Sequence, residues 1–454
     1  MSPSVKVVGA IGAVSVLLAT AACSNDDGGE AADGSVTISV MGLPPDSKPE
    51  ERQAFLDAVD AFEAQNPGTT VEPSEYEFDA QTFSARLAGG DVDTVLRVPF
   101  TEAQALIQRG QVSDITAEVA ELEAGAALEP RILDLMSDAD GNVFGLPERA
   151  YAIGLLYNRD LFEQAGLDPD APPTTWDELQ EDAVALKEVA ETPYAELTTD
   201  NQGGWHVTME TYSYGGTIQE QQGDEYVATF DNPQTVAALE NLRELRWQDD
   251  AMGAQQLRNQ ADTLRDFAAG KVGMWLGSPD TFNGYVNNFD GDPATYGVGP
   301  MPQAGGDGTL TGGWVTMVSA GADDAQRAAA VQWMDFKNLR QRYDPESAAA
   351  QAESDQSAGV AVGIPEVPLF DEATTEAVDA AIEPFVTFPQ GNADAYVEGT
   401  AALDYVPEPA VAGQEIYSAL DAVIQSVLAE EDADVEALLG EAKEQATAAI
   451  RRKG

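Results

Sequence analysis

The chain has 454 residues, with 23 Lys and Arg against 79 Asp and Glu, a formal charge of −56 at pH 7. A surface this acidic repels nucleic acid and anionic lipid, so neither is expected as a partner. One cysteine and one histidine leave no disulfide framework and no histidine-rich metal site, and a length sufficient for two or three domains must supply the core instead.

In chain order, the first feature is an uncharged run from Val7 to Ala22 that ends at the lone Cys23. As a helix it would cover roughly 24 Å, short of the ~30 Å hydrocarbon core, so it is too short to span a membrane. Lys6, the apolar centre and the small residues Thr20, Ala21 and Ala22 fit a secretory signal instead. The run resembles the lipobox of bacterial lipoproteins, in which the cysteine is acylated and becomes the new amino terminus. Thr20 stands where that motif usually carries leucine, with Leu18 two residues further back. The resemblance implies a signal peptide over 1–22, a lipid anchor on Cys23 and a protein held at the extracellular face of the cytoplasmic membrane. The alternative is a plain secreted protein with an incidental cysteine. Residues 23–35 are acidic and glycine-rich, with nothing to bury, and read as a flexible tether.

From Val36 onward, strand and helix patterns alternate. "VTISVM" alternates apolar and polar residues, and the next segment spaces Phe55, Val59 and Phe62 as a helix does. "TTVEPSEY" and "DTVLRVPF" are further strands around a glycine-ended helix, and Thr101 with Gln104 has the spacing of a capping box. Strands separated by helices predict an α/β fold with parallel-rich sheets. In "GNVFGLPERAYAIGLLYNRDLF" a strand is expected to end at Pro147 and a new apolar run to begin at Ile153. "PPTTWDELQEDAVALKEV" is a helix capped by Thr175 and Glu178, with Trp176, Leu179 and Val184 on one side. "GKVGMWLG" is a strand, followed by a helix with Ser278 as N-cap and Pro279 in first position. "YGVGPMP" and "GGWVTMVSAG" form two strands around a glycine-rich loop, and from Ala325 to Arg452 the pattern is almost wholly helical.

Four of these stretches, in order, resemble the extracellular solute-binding proteins of sugar-type ABC importers. They are the crossing segment "GNVFGLPERAYAIGLLYNRDLFEQAGL", the helix "TTWDEL", the strand and turn "FAAGKVGMWLGSPDTF", and "GVGPMPQAGGDGTLTGGWVTMVSAG" with its following helix. The resemblance implies a two-lobed, periplasmic-binding-protein-like fold of type II, with chain crossings near Pro147–Ala150 and Pro300–Thr311. Lobe 1 would hold 36–148 and 310–370, and lobe 2 would hold 149–309 and 371–454. It also implies a monomer that meets a membrane permease, with a ligand held between the lobes.

A sugar needs aromatic plates for its C–H faces and polar groups for its hydroxyls. Trp205, in a polar and glycine-loosened segment, falls where family members place a stacking aromatic; local packing is the alternative. Trp314 follows Gly312 and Gly313, glycines that would let a ligand approach the backbone. Trp275 lies within a strand, where burial is equally open, and Tyr151 follows the crossing. Phe100 and Thr101 end the third strand where it would aim at the cleft. Asp46, in the turn after the first strand, could accept sugar hydroxyls or be a solvated carboxylate. Asp280 stands where relatives often carry an aromatic, with Phe282 nearby. Trp176, Trp247 and Trp333 read as core, and His206 as a bystander of Trp205. No histidine triad with a nucleophile elbow and no phosphate-binding loop is present, so neither a catalytic residue nor a cofactor is expected. The reading is a binding protein for a carbohydrate, such as an oligosaccharide, delivered to an ABC permease. The alternatives are an exported carbohydrate hydrolase, or the same fold binding a polyol, peptide or other polar solute.

Overall fold

The computed structural model describes residues 35–79, 82–223 and 225–453; the signal peptide, Cys23 and almost all of the tether lie outside them. Strands β1 (Val36–Met41), β2 (Thr69–Ser74) and β3 (Val95–Pro99) pair in parallel with β1 central, since helices Pro49–Gln65 and Phe83–Gly89 carry the chain back between them. Strand β4 (Gly145–Ala152) leaves this sheet directly for a second one, entering as β5 (Gly154–Asn158) with only Ile153 between. The second sheet adds β6 (Thr192–Ala195), then, past a separate hairpin of β7 (Gln219–Gln222) and β8 (Glu225–Ala228), β9 (Val272–Gly277) and β10 (Tyr296–Pro300). Its order is β10-β5-β9-β6. Strand β11 (Gly308–Val318) returns to the first sheet and pairs antiparallel with both β3 and β4. The short β12 (Asp404–Pro407) lies parallel to the start of β11.

Both sheets are therefore mixed. The pairs β1–β2, β1–β3, β6–β9 and β11–β12 are parallel, whereas β5 runs antiparallel to β9 and β10, and β11 antiparallel to β3 and β4. This revises the expected crossing. Strand β4 does not end at Pro147: it continues to Ala152, because β11 offers it partners from Thr311 to Met317. The register shifts between Trp314 and Val315, which face Arg149 and Pro147, so Glu148 is the extra residue of a bulge. The first crossing is thus at Ile153, and the second runs from Pro300 to Gly308. A third comes from a stretch expected wholly in the second lobe. There β12 pairs into the first sheet, and the chain then re-enters the second lobe as helix Gly413–Ala429, packed on helix Gln202–Ser213.

Local signals were met unevenly. The Thr175–Glu178 capping box forms, whereas Thr101 caps nothing: Pro99 takes the cap position, and the Gln104 amide donates to the Leu135 and Ser137 carbonyls, both at 3.0 Å. Ala183 and Leu186 turn inward beside Trp176 and Leu179, leaving Val184 45% exposed. Pro279 opens a short 3₁₀ turn, Pro279–Thr281, with no hydrogen bond from the Ser278 side chain.

One core lies around the first sheet, where Ile38, Val40, Leu96 and Val98 meet Phe62, Leu106 and Trp333. A second joins Leu155, Tyr157 and Met274 of the second sheet to Trp176 and the helices that follow. A third, rich in aromatics, packs Leu156, Trp275 and Tyr296 against Phe267, Tyr285 and Phe388. Among the described residues no helix is long and apolar enough to cross a membrane.

Candidate ligand site between the lobes

The junction of β4, β11 and the turn after β9 brings charged side chains from both sheets together. Arg149 on β4 reaches Asp280 on the Pro279–Thr281 turn at 3.2 Å, an ion pair that ties the first sheet to the second lobe. Both side chains are about one-third exposed (35% and 32%), so the pair faces the junction and is not sealed inside it. One residue earlier, the bulge at Glu148 lets its carboxylate take two hydrogen bonds from Arg97 on β3, at 2.6 and 3.0 Å. The same Arg97 guanidinium lies 4.0 Å above the Trp314 ring, a cation–π contact that occupies one face of the indole.

Gly312 and Gly313 were expected to leave room for a ligand; their room is already taken. A Cβ on Gly312 would stand 2.3 Å from the Tyr151 hydroxyl, and one on Gly313 would stand 2.1 Å from the Arg149 carbonyl and 3.0 Å from the Phe100 ring. The glycines admit the side chain and backbone of β4, and Phe100 is a core residue beneath them. Thr101, in the first turn of the helix that begins at Phe100, is partly exposed.

Tyr151 points the network toward a further carboxylate. Burial pushes its phenol well up, aided by the negative charges of Glu408 and Asp280 and opposed by Arg149. Glu408 follows β12 at the third crossing. Burial raises its carboxyl to about 7, while the Trp205 indole and the Tyr417 hydroxyl beside it act in the opposite direction. Tyr212, which donates to the Pro407 carbonyl at 3.1 Å, completes the surround. Trp205 itself is partly exposed. It sits in helix Gln202–Ser213, not in a loosened loop: a Cβ on Gly204 would stand 2.1 Å from the Tyr417 carbonyl, so the glycines there let two helices touch.

The structure thus gathers Tyr151, Asp280, Trp314 and Trp205 into one connected set, with Gly313 and Phe100 forming its floor. Two expected contacts are corrected. Trp275 is 0% exposed within the third core, its ring 6.4 Å from Phe267, so no ligand reaches it. Asp46 is a solvated carboxylate, 91% exposed and paired with Arg52 at 3.2 Å. Four residues of the set were missed: Arg97, Glu148, Arg149 and Glu408. Glu148 and Arg149 carried a signal, since a charged pair interrupts an otherwise apolar strand in "GLPERAYA". Glu408 carried none.

His206 is not a bystander. It is fully buried, pairs with Glu196 at 3.1 Å, and Glu196 also accepts from the Tyr194 hydroxyl at 3.2 Å. Glu210, also fully buried on the same helix, is pushed well above the usual carboxyl range by burial and then by Glu196.

Two α/β lobes joined by repeated crossings, with polar and aromatic side chains where they meet, define the two-lobed solute-binding architecture. The profile of the bacterial extracellular solute-binding proteins matches residues 46–336, and the chain belongs to that family. A binding protein of Brucella abortus is 27% identical over 261 residues, 55% of this chain and 59% of that one. The sn-glycerol-3-phosphate-binding periplasmic protein UgpB of Shigella dysenteriae is 24% identical over 297 residues, 61% of this chain and 65% of that one. The chain therefore spans less than two thirds of the length of these curated relatives. Among solved structures, the cyclic α-maltosyl-1,6-maltose binding protein of Arthrobacter globiformis superposes with a TM-score of 0.68 at 21% identity, covering 92% of this chain and 100% of that one. UgpB of Mycobacterium tuberculosis, in complex with glycerophosphocholine, gives 0.67 at 18% identity, covering 92% and 99%. At these identities the likeness defines the fold.

Proposed function

We propose that this protein captures a carbohydrate, of oligosaccharide size, between its lobes and delivers it to the membrane permease of an ABC importer. The observation that carries the reading is the set built on Arg149–Asp280 and Tyr151–Glu408–Trp205, which draws aromatic and polar side chains from both lobes to one junction. A ligand touching both lobes stabilises the closed arrangement and shifts an open–closed equilibrium, with no covalent step. The protein works as a monomer, held at the extracellular face of the cytoplasmic membrane by lipid on Cys23.

The experiment is a thermal-shift screen of purified protein against mono- and oligosaccharides, polyols and peptides. A specific ligand at a hundred times its Kd adds about 2.7 kcal/mol of apparent stability. A response confined to peptides or to none of the panel defeats the carbohydrate reading. The same ligand is then recovered after prolonged incubation and weighed by mass spectrometry; hydrolysis dependent on one carboxylate would move the protein to the exported hydrolases. Fractionation of cells carrying Cys23→Ala tests the anchor, which predicts release from salt-washed membranes.

A further inference from the structure

The charges at the junction are unevenly matched. Arg97 is paired with Glu148 and Arg149 with Asp280, so the charge of each guanidinium is already offset. Glu408, by contrast, forms no ion pair among the described residues; the groups around it are Trp205 and Tyr212 from helix Gln202–Ser213, Tyr417 from helix Gly413–Ala429 and Tyr151 from β4. Asp280 and Arg149 lie beyond Tyr151, and His206, next to Trp205, turns away to Glu196. A carboxylate offers about four acceptor positions, and of the two donors beside it the buried Tyr417 hydroxyl makes no hydrogen bond. Glu408, Trp205 and Tyr151 each keep part of their surface exposed.

We propose that Glu408 is the specificity-determining acceptor of the cleft: it takes hydrogen bonds from the hydroxyls of an uncharged ligand and excludes ligands bearing phosphate or carboxylate. The inference rests on the carbohydrate reading and narrows it. A phosphate would meet an unpaired carboxylate and two cations already neutralised, inside a chain of net charge −56. An uncharged polyhydroxylated ligand supplies the donors that Glu408 lacks and lays its C–H faces on Trp205 and Tyr151. Burial holds the carboxyl up at about 7. A ligand hydroxyl donating to the ionised form lowers that value, so the proton carried by the neutral fraction passes to buffer. The sign follows: affinity rises as pH rises from 6 to 8.

The test is calorimetric titration of maltose, maltotriose, mannitol and glycerol 3-phosphate into wild type and Glu408→Gln, at pH 6, 7 and 8, in two buffers of different ionisation enthalpy. At least one uncharged probe should bind, with a heat that depends on the buffer as proton release requires, and an affinity gain of about ten-fold in all from pH 6 to 8, most of it below pH 7. In Glu408→Gln that probe should bind roughly ten- to a hundred-fold more weakly, the range for losing a hydrogen bond to a charged group, and independently of pH. Glycerol 3-phosphate should give no heat. Buffer-independent heats, an unchanged affinity in Glu408→Gln, or tight glycerol 3-phosphate binding would each overturn the inference while leaving capture of a carbohydrate intact. Failure of every uncharged probe would instead overturn the parent reading, and the inference with it. Should Glu408→Gln prove unfolded by its urea profile, the proton count on wild type decides alone.

Discussion

Two polar clusters in this molecule use the same kinds of side chain at different depths. In the second lobe, Tyr194, Glu196, His206 and Glu210 are closed off completely, each at most 2% exposed. At the junction, Arg97, Glu148, Arg149 and Asp280 keep about a third of their surface. In the first cluster the charged forms must be satisfied from within, because no water reaches them. In the second, solvent shares the task, so the groups remain available to a ligand and to each other. Burial, more than residue type, separates a cluster that orders a helix from one that can serve binding. His206 and Trp205 are neighbours in sequence, yet one belongs to each class.

The largest effects should come from the sealed regions. His206→Leu removes the imidazole from Glu196 and should lower stability by about 3–5 kcal/mol, the usual result of stripping one partner from a buried pair. Urea unfolding reads this, and calorimetry on the folded fraction should find ligand affinity little changed. Trp275→Ala should cost a similar ~3–5 kcal/mol as a core truncation, again without specific loss of binding. If either variant instead binds weakly at full stability, the division between core and cleft fails at that residue.

The cleft tryptophans should behave in the opposite way. Trp205→Ala and Trp314→Ala should each weaken ligand binding by roughly 1–3 kcal/mol, as expected for a lost aromatic contact, with smaller changes in unfolding midpoint. Trp314 should be the weaker of the two, because Arg97 covers one of its faces. Normal binding by both variants would place the site elsewhere.

A pH experiment sharpens the contrast within the buried cluster. Glu210 has its carboxyl raised well above the ordinary value, so the folded state holds that proton more tightly than the unfolded chain. Its favourable contribution is fully present below the unfolded value and is lost as pH rises toward the folded one. Glu210→Gln carries no such proton. Its stability relative to wild type should therefore improve from pH 5 to pH 8, by an amount read from paired urea curves; a parallel offset at both values would exclude the buried protonated form.

The smallest effect belongs to the exposed pair. Asp280→Asn should change stability by less than ~1 kcal/mol, since half-exposed ion pairs are weak. Its readout is the open–closed balance: loss of the Asp280 carboxylate that Arg149 pairs with should enlarge the radius of gyration of the unliganded protein in small-angle scattering. An unchanged radius would mean that the pair does not hold the lobes together.

Local chemistry by itself determined a good deal of this protein. Alternation and helical spacing marked the strands β1, β3, β9 and β11, and the Thr175–Glu178 box formed as its spacing required. These features depend on neighbours within a few residues, which is the range over which sequence speaks directly. The ordered motifs from Gly141 to Gly321 carried the family. What only the tertiary structure decided were the features set by partners far along the chain. Strand β4 runs past Pro147 because β11, more than 150 residues later, extends it. Gly312 and Gly313 serve Tyr151 and Arg149, and Gly204 serves Tyr417. Trp275 could be placed in core or cleft only once Phe267 and Tyr296 were known to surround it. Glu408 was one acid among 79; its distinction lies in the burial and the aromatic neighbours that folding brings to it, since an ionisable group takes its properties from surroundings that no local pattern records.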